Sequence, residues 1–572
     1  MISFRDMTSR RLNEMFHWRS SIVLFVACAN HLLTFLAYDW YAGIDCYSYD
    51  VAGLQLLSGY RFDPFPAIYR APLVPVLKNV LYLIFEGHPY ALSIFVHSWG
   101  VATAILAYRI GKRFGRSVGL ILGLVVAGNL ALSVHFHHIS ITTVFIPLIL
   151  AAFDRFCAWV KHPCRGRLAL LVTVSFLCYI THPAGVILAA IFFVLGWAGH
   201  RSWRQAALFL FAMLVLCNGV GFLYYVNFGC RQVADVKGYQ LFARISFAAD
   251  RQFSPDNGPA SAKINGYLQR SLLQRIKQTD KRTYYMSALC LAQKELGYKA
   301  ADELFLRSSV EAIRTDPAKF LYYTALRFMA HFGFVQYEWL RFKETPSETP
   351  SGHMWGFDPG RMIDRQKDFS RWQPYVRTVP NPLSWERQVL TARFLNAIGI
   401  RMQIPPLPQA CELTLNVKEN DSGGVDYLYC SEGNMSERLW HSRALDAYYY
   451  YGYWGQRGWS IPALRLLKLW DTAFMLKPPL RMHVLRFLWI FWIVAVICRR
   501  SKRTEGTSLL AMLLFTVIFG LCVVIFSDNF GGRNALYTES LIWLGGLCGL
   551  ADVSFKARAY FSNVLTNRII DI

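Results

Sequence analysis

Stretches of about twenty apolar residues recur along this 572-residue chain and constrain its fold more than any other feature. The hydrocarbon core of a bilayer is ~30 Å thick and needs roughly 20 apolar residues per helix. Apolar side chains make up 54% of the residues and charged ones only 17%, which argues against an ordinary soluble multidomain enzyme. The sequence therefore predicts membrane spans at 20–38, 90–110, 118–134, 139–157, 168–181, 183–197, 206–226, 484–498, 507–526 and 535–552, with a weaker candidate at 317–336.

The chain carries a net charge of +23, and short connectors between these spans are basic. Lys and Arg cluster in GKRFGRS (111–117), VKHPCRGR (160–167), HRSWR (200–204) and CRRSKR (498–503). Because cytoplasmic loops of membrane proteins are rich in Lys and Arg, the pattern predicts a cytoplasmic N-terminus and outward-facing loops between these connectors. We expect a lipid bilayer as partner and no nucleic acid. The first span lacks a cleavage site and is expected to be a signal anchor.

The spacing of the spans divides the chain into three predicted parts. An N-terminal transmembrane module covers 1–226, and three further spans lie in 481–572. The polar segment 227–480 is too long and too rich in apolar residues to be a linker, so it is predicted to be a mixed, mostly helical extracytoplasmic domain. Helical periodicity in 301–334 breaks at Asp316-Pro317. The predicted fold class is mainly α, a polytopic membrane protein with about 10–13 transmembrane helices.

The thirteen cysteines show no C-x-x-C spacing of the metal-binding type. Cys411 and Cys430 flank a polar loop of the predicted outer domain, so a disulfide and two separate thiols are both open.

Two carboxylates, Asp45 and Asp50, follow the first span on its outer side. Asp50 precedes the helix-like VAGLQLLSG, so capping a helix N-terminus is one explanation for it. Ionisable groups near the membrane are costly and usually functional. Partial desolvation also suits a carboxylate to act as a general base, and Asp45 is the better candidate for that role.

An arginine, Arg70, begins the next apolar segment, YRAPLVPVLKNVLYLIF (69–85). One interpretation is that it contacts lipid head groups. The other is that its planar guanidinium binds a substrate phosphate.

The order of these motifs resembles that of the membrane-embedded GT-C glycosyltransferases, the superfamily of protein O-mannosyltransferases and the lipid A aminoarabinose transferase. The first span is followed by Asp45-x-x-x-Tyr49 and then by Arg70-x-Pro72. Later, YITHPAG (179–185) resembles the family's turn between two spans, with His182 in place of Arg. DNFGGRN (528–534) resembles its late outer loop and contributes Arg533. The resemblance implies a GT-C fold over about 20–226 and 300–552.

By this resemblance Asp45 is the catalytic base and Tyr49 a structural or substrate-binding residue, while Arg70, Arg533 and His182 bind the donor phosphate. The chain departs from the family in its outer loop SVHFHHISITT (133–143), where a second carboxylate is often found. Asp50 and the loop histidines are candidate metal or substrate residues, and the histidines could equally lie at the lipid–water boundary. They are His135, His137 and His138. The cofactor is accordingly open, with a divalent cation as one candidate.

The implied reaction is transfer of a sugar from a polyprenyl-phosphate donor, with inversion, to a glycan, lipid or protein acceptor. The chain has no Gly-rich phosphate loop after a strand and no D-x-D run, which argues against a nucleotide-sugar donor. Alternatives are a transporter or flippase of lipid-linked sugars, for which no inverted repeat is evident, and a non-catalytic membrane scaffold. The outer loops hold two Asn-x-Ser sites, Asn420 and Asn434, which favours a bacterial inner membrane with a periplasmic active site; the endoplasmic reticulum is the alternative.

Overall fold

Helices coincide with all ten of the predicted spans. The computed structural model describes residues 18–37, 49, 52–53, 56–57, 68–84, 89–137, 139–199, 203–234, 236–246, 254–270, 291–293, 295–332, 413–419, 425–431, 461–474, 478–498, 503–526, 541–550 and 553. The N-terminal helices are α1 (Trp18–Ala37), α2 (Leu73–Ile84), α3 (Pro89–Lys112), α4 (Arg116–Gly128), α5 (Leu130–His135), α6 (Ile141–Lys161), α7 (Arg165–Thr181), α8 (Gly185–Gly199) and α9 (Trp203–Phe228).

The rest of the described chain adds eight helices, a short 3₁₀ turn (Pro255–Asn257) and two strands. The helices are α10 (Lys237–Ser246), α11 (Pro259–Arg270), α12 (Tyr298–Thr315), α13 (Pro317–His331), α14 (Ile461–Phe474), α15 (Pro478–Cys498), α16 (Arg503–Phe526) and α17 (Leu541–Leu550). The strands are β1 (Leu413–Glu419) and β2 (Val425–Ser431).

The described helices confirm a mainly α, polytopic fold. Four of them, Trp18–Ala37, Ser93–Lys112, Ile141–Lys161 and Trp203–Phe228, are long and apolar enough to cross a membrane. Shorter apolar helices are Arg116–Gly128, Gly185–Ala198, His483–Ile497, Thr507–Val523 and Leu541–Leu550.

The predicted span 118–134 is divided into two helices at Asn129. This residue has an extended backbone, and its side chain accepts a hydrogen bond from the Leu132 amide at 3.0 Å. Asn is among the best N-cap residues because its side-chain oxygen satisfies an amide that the helix leaves open. The cap turns the chain into α5 and so places His135 and His137 inside the protein.

Helix α6 is the centre of the membrane part. It packs against α3, α7 and α16, and most of its side chains are buried. Phe156 stacks on Phe192 of α8 with ring centroids 4.3 Å apart, and Trp159 donates to Gln205 Oε1 at 3.1 Å. Gly196 faces the Trp159 ring, and any side chain there would overlap it. In lipid, such close packing holds helices together because exclusion of water contributes little.

The outward faces of the membrane helices are apolar. On α9, Phe211 and Phe222 are each 64% exposed, and on α1 Phe25 is 73% exposed. Such surfaces suit lipid rather than water.

Helices α10, α11 and α12, with the connecting 3₁₀ turn, enclose a separate small core that includes Phe242 and Phe305. We call α10, α11 and α12 the capped helical unit, because two carboxylates of α12 cap the other two helices. Asp302 accepts from the Gly238 and Tyr239 amides at 3.1 and 2.8 Å. Glu311 accepts from the Ala260 and Ser261 amides at 3.1 and 2.7 Å.

The predicted break at Asp316-Pro317 separates α12 from α13. Asp316 Oδ1 accepts from the Lys319 amide at 2.9 Å and caps α13. Helix α13 exposes apolar side chains such as Leu321 and Met329 on one face, whereas Arg327 and His331 are buried on another. An apolar outer face and a polar inner face are typical of a helix against lipid.

The two strands pair in antiparallel register, with Thr414 opposite Cys430. Cys411 lies outside the described residues, so its disulfide with Cys430 stays a prediction. The three-part division at 226 and 480 likewise stays a prediction.

Candidate functional site

Four of the predicted site residues lie outside the described part of the chain: Asp45, Asp50, His138 and Arg533. The others occupy three places. Tyr49 and Arg70 come together, His135 and His137 are both buried at the end of α5, and His182 lies in the turn between α7 and α8.

Arg70, immediately before α2, is held between two tyrosines. The guanidinium carbon lies 4.6 Å from the centroid of the Tyr49 ring and 4.3 Å from that of Tyr69. Arg70 is 7% exposed and Tyr49 is 1% exposed. We call Tyr49, Arg70 and Tyr69 the arginine clamp. Two predicted site residues, 21 positions apart in the sequence, are thus in contact.

The clamp fixes the plane of the guanidinium. A cation over an aromatic face is attracted by the ring quadrupole, which is worth ~0.5–2 kcal/mol depending on desolvation. The N–H groups of Arg point outward in the plane of the group, in a fork that matches two oxygens of a phosphate or carboxylate. The two rings together limit the orientations in which the cation can meet a ligand.

Contacts with α2 and α9 position the clamp. The Asn79 side chain of α2 donates to the Tyr49 carbonyl at 3.5 Å and to the Pro75 carbonyl at 2.9 Å. It also fills the space beside Gly53, where any side chain would collide with it. From α9, the Tyr224 hydroxyl donates to the Arg70 carbonyl at 3.5 Å. Tyr49 and Gly53 are thereby fastened to α2.

Tyr69 reaches the capped helical unit. Its ring makes an edge contact with Tyr239 of α10, with centroids 5.4 Å apart. The Gln240 side-chain amide donates to the Tyr69 hydroxyl at 3.4 Å. Tyr69 was not predicted as a site residue, although it lies next to Arg70 in the sequence. Lys78, a fully buried cation within the apolar run of α2, was not predicted either.

His135 and His137 are both buried, and His137 belongs to a chain of three imidazoles. His31 Nδ1 of α1 lies 2.9 Å from His97 Nδ1 of α3, and His97 Nε2 lies 3.0 Å from His137 Nδ1. The two contacts use opposite nitrogens of His97, so the rings form a series and cannot all bind one ion. We call His31, His97 and His137 the histidine chain. It ties three elements together inside the membrane part.

No group of three or more His, Cys, Asp or Glu side chains in the described part of the chain is arranged to hold a metal ion.

His182 stacks on Phe145 at a centroid distance of 5.0 Å and meets Phe519 of α16 edge-on at 5.9 Å. Its Nδ1 accepts from the Ala184 amide at 3.1 Å, which leaves the ring proton on Nε2. Burial lowers the pKa of His182 to about 4. At neutral pH it is therefore a neutral hydrogen-bond donor and not a cation.

Comparison with known proteins finds no protein-family model and no curated protein that matches the chain. Solved structures give weak likenesses. One is ArnT from Cupriavidus metallidurans bound to undecaprenyl phosphate, with 11% identity, a TM-score of 0.31, and coverage of 92% of this chain and 77% of that one.

Two others are Archaeoglobus fulgidus oligosaccharyltransferase structures, one in the apo form and one, AglB, in complex with an inhibitory peptide and a dolichol-phosphate. The identities are 14% and 13%, the TM-scores 0.33 and 0.35, and the coverage of this chain 97% and 96%. The chain covers 52% of each of these two proteins. Scores this low leave family membership and activity to be argued from the chain's own residues.

Proposed function

We propose that this chain is an integral-membrane glycosyltransferase of the GT-C type. It transfers a sugar from a polyprenyl-phosphate donor to a glycan, lipid or protein acceptor at the extracytoplasmic face, with inversion at the anomeric carbon. The observation that carries the proposal is the arginine clamp, a buried and oriented cation beside the segment that contains Asp45.

The clamp supports a phosphate site because the reaction develops negative charge on the departing phosphate. Oriented donors aimed at that charge lower the barrier, and a group that is already fixed costs no reorganisation. Arg70 is proposed to contact the donor phosphate through its N–H edge. Arg533 would be a second cation there, and His182 would contribute an Nε2–H bond.

Asp45 is the proposed base. Asp45 lies four positions before Tyr49, and four residues of chain reach at most about 14 Å, so the carboxylate stays near the clamp. Asp45 removes the proton of the acceptor hydroxyl, and the hydroxyl oxygen forms a bond to the anomeric carbon. The bond between that carbon and the phosphate oxygen breaks from the opposite face, and polyprenyl phosphate leaves with the electron pair.

The test is sugar release from a panel of polyprenyl-phosphate sugars by purified protein in lipid nanodiscs. We expect the wild type to consume one donor and Asp45→Asn to lose activity by at least 10²-fold, since general base catalysis contributes about 10²–10⁴-fold. Arg231→Ala is the matched control, because Arg231 also lies over a tyrosine, Tyr225 at 5.1 Å, but is exposed.

Full activity of Asp45→Asn, at wild-type abundance in the membrane, would contradict the assignment of the base. Movement of the donor across the bilayer without release of sugar would instead favour a flippase.

A further inference from the structure

Tyr69 contacts both Arg70, its neighbour in the sequence, and α10 of the capped helical unit, which is distant in the sequence. One side of its ring covers the Arg70 guanidinium, and the ring also meets Tyr239 edge-on. Its hydroxyl accepts a hydrogen bond from Gln240. The same side chain therefore belongs to the arginine clamp and to the surface of the capped helical unit.

The partners of Tyr69 are themselves fixed. Tyr239 and Gln240 lie in the first turn of α10, whose Gly238 and Tyr239 amides donate to Asp302 of α12. Gly238 packs directly against the Asp302 backbone, where any side chain would overlap it. Since the start of α10 is bonded to α12, a shift of the capped helical unit away from Arg70 would break the contacts of Tyr69 with Tyr239 and Gln240.

We propose that Tyr69 is a positioning residue that couples the binding of a phosphate-bearing lipid at Arg70 to the docking of the capped helical unit. The inference rests on the proposed function of Arg70. With the unit docked, Tyr69 holds the guanidinium in the orientation in which it receives the phosphate. With the unit displaced, the cation loses its contact with the Tyr69 ring.

Coupling of this kind is reciprocal. If docking raises the affinity of Arg70 for phosphate, phosphate must favour docking by the same factor. A ligand at the membrane therefore slows opening of α10, and an acceptor that holds the unit in place tightens binding of the donor. If Tyr69 only stabilised the fold, neither effect would be expected.

The experiment uses the full chain in nanodiscs and undecaprenyl phosphate as the probe. Its Kd is measured for the wild type, Tyr69→Phe and Tyr69→Ala, and hydrogen exchange of 237–246 is followed with and without the probe. We expect Tyr69→Ala to weaken binding by about 2–30-fold, which corresponds to the strength of one cation–π contact. Tyr69→Phe keeps the ring and should change the Kd by less than about threefold.

The decisive readout is exchange. In the wild type and Tyr69→Phe, the probe should slow exchange of 237–246, whereas in Tyr69→Ala it should leave exchange unchanged even at saturation. Exchange of α6 reports whether the variant is folded. The coupling is contradicted if the probe slows exchange of 237–246 equally in Tyr69→Ala, or if it binds the wild type without slowing that exchange. Either result leaves the proposed phosphate site in place. Failure of the wild type to bind any polyprenyl phosphate overturns the proposed phosphate site and the coupling with it.

Discussion

The membrane helices and the capped helical unit place polar and apolar groups in opposite ways. On α9, Phe211 and Phe222 point outward, and the histidine chain lies inside. In the capped helical unit the apolar side chains are inside, and Asp302 and Glu311 satisfy helix ends. This difference is what we expect if the membrane helices fold against lipid and the capped helical unit folds against water. The arginine clamp lies where they meet.

The largest effect is expected from breaking the histidine chain. His97→Phe removes two buried hydrogen bonds and leaves polar atoms of His31 and His137 without the His97 ring. At ~1–3 kcal/mol for each such loss, we expect ~2–6 kcal/mol of destabilisation, measured as thermal unfolding of the purified protein in nanodiscs. The control is Ser98→Ala on the same helix, whose hydroxyl is exposed and bonds its own helix. Equal unfolding temperatures for the two variants would contradict a stabilising chain.

A lysine substitution on each exposed surface tests directly whether that surface faces lipid or water. Phe211→Lys places a charge on the outer face of α9, where we expect a penalty of about 2.5–3.5 kcal/mol near the helix centre. Ala300→Lys on the exposed face of the capped helical unit should cost almost nothing. The measurement is the fraction of each variant inserted into membranes. If both insert equally well, the outer face of α9 does not lie in lipid.

The membrane helices were predictable from sequence because a run of apolar residues long enough to span lipid is a local signal. The break at Asn129 was missed because one polar residue in an apolar run does not show whether its side chain caps a helix. The break at Asp316-Pro317 was predicted, since proline cannot continue a helix interior and its restriction acts on the residue before it.

The candidate site was predictable only in part. Tyr49 and Arg70 were chosen separately, but their contact depends on Asn79 and Gly53, which join the segments only in the fold. His31 and His97 were missed because single histidines in apolar runs carry no signal until α1 and α3 pack together. His182 was placed among the phosphate ligands, but its neutral state follows from burial, which sequence does not report.

A smaller effect is expected from removing a cap in the helical unit. Glu311→Ala leaves the Ala260 and Ser261 amides without their acceptor, and loss of a cap costs about 1 kcal/mol. We expect faster hydrogen exchange in 259–270 and unchanged exchange in α6. The control is Glu303→Ala on the same helix, since Glu303 is 58% exposed and pairs only with the exposed Arg307 across one turn. A change of exchange in α6, with exchange in 259–270 unchanged, would contradict the role of Glu311 as a cap.

The smallest effect is a dependence on pH that is confined to the same cap. Partial burial raises the pKa of Glu311, but hydrogen bonds from Ser261 and Ala260 outweigh it, so the pKa lies below its ordinary value of 4.5. Because the folded form binds the proton less readily, the cap is fully stabilising above that ordinary value. It is lost as the pH falls through the folded-state pKa.

The pH effect is measured as exchange of 259–270, corrected for intrinsic rates, between about pH 6 and about pH 3.5. We expect a loss of protection at the acidic end in the wild type and a much weaker dependence in Glu311→Ala. The same pH dependence in the variant would assign the effect to another group.

The central claim is that Arg70 holds the phosphate of a lipid-linked sugar. The most direct measurement is single-turnover release of sugar from the donor that the wild type consumes, compared between the wild type, Arg70→Ala and Arg231→Ala. We predict that Arg70→Ala releases sugar about 10²–10³-fold more slowly, the usual cost of removing one donor aimed at developing charge, while Arg231→Ala stays within about twofold of the wild type. Release by Arg70→Ala at the wild-type rate would contradict the claim.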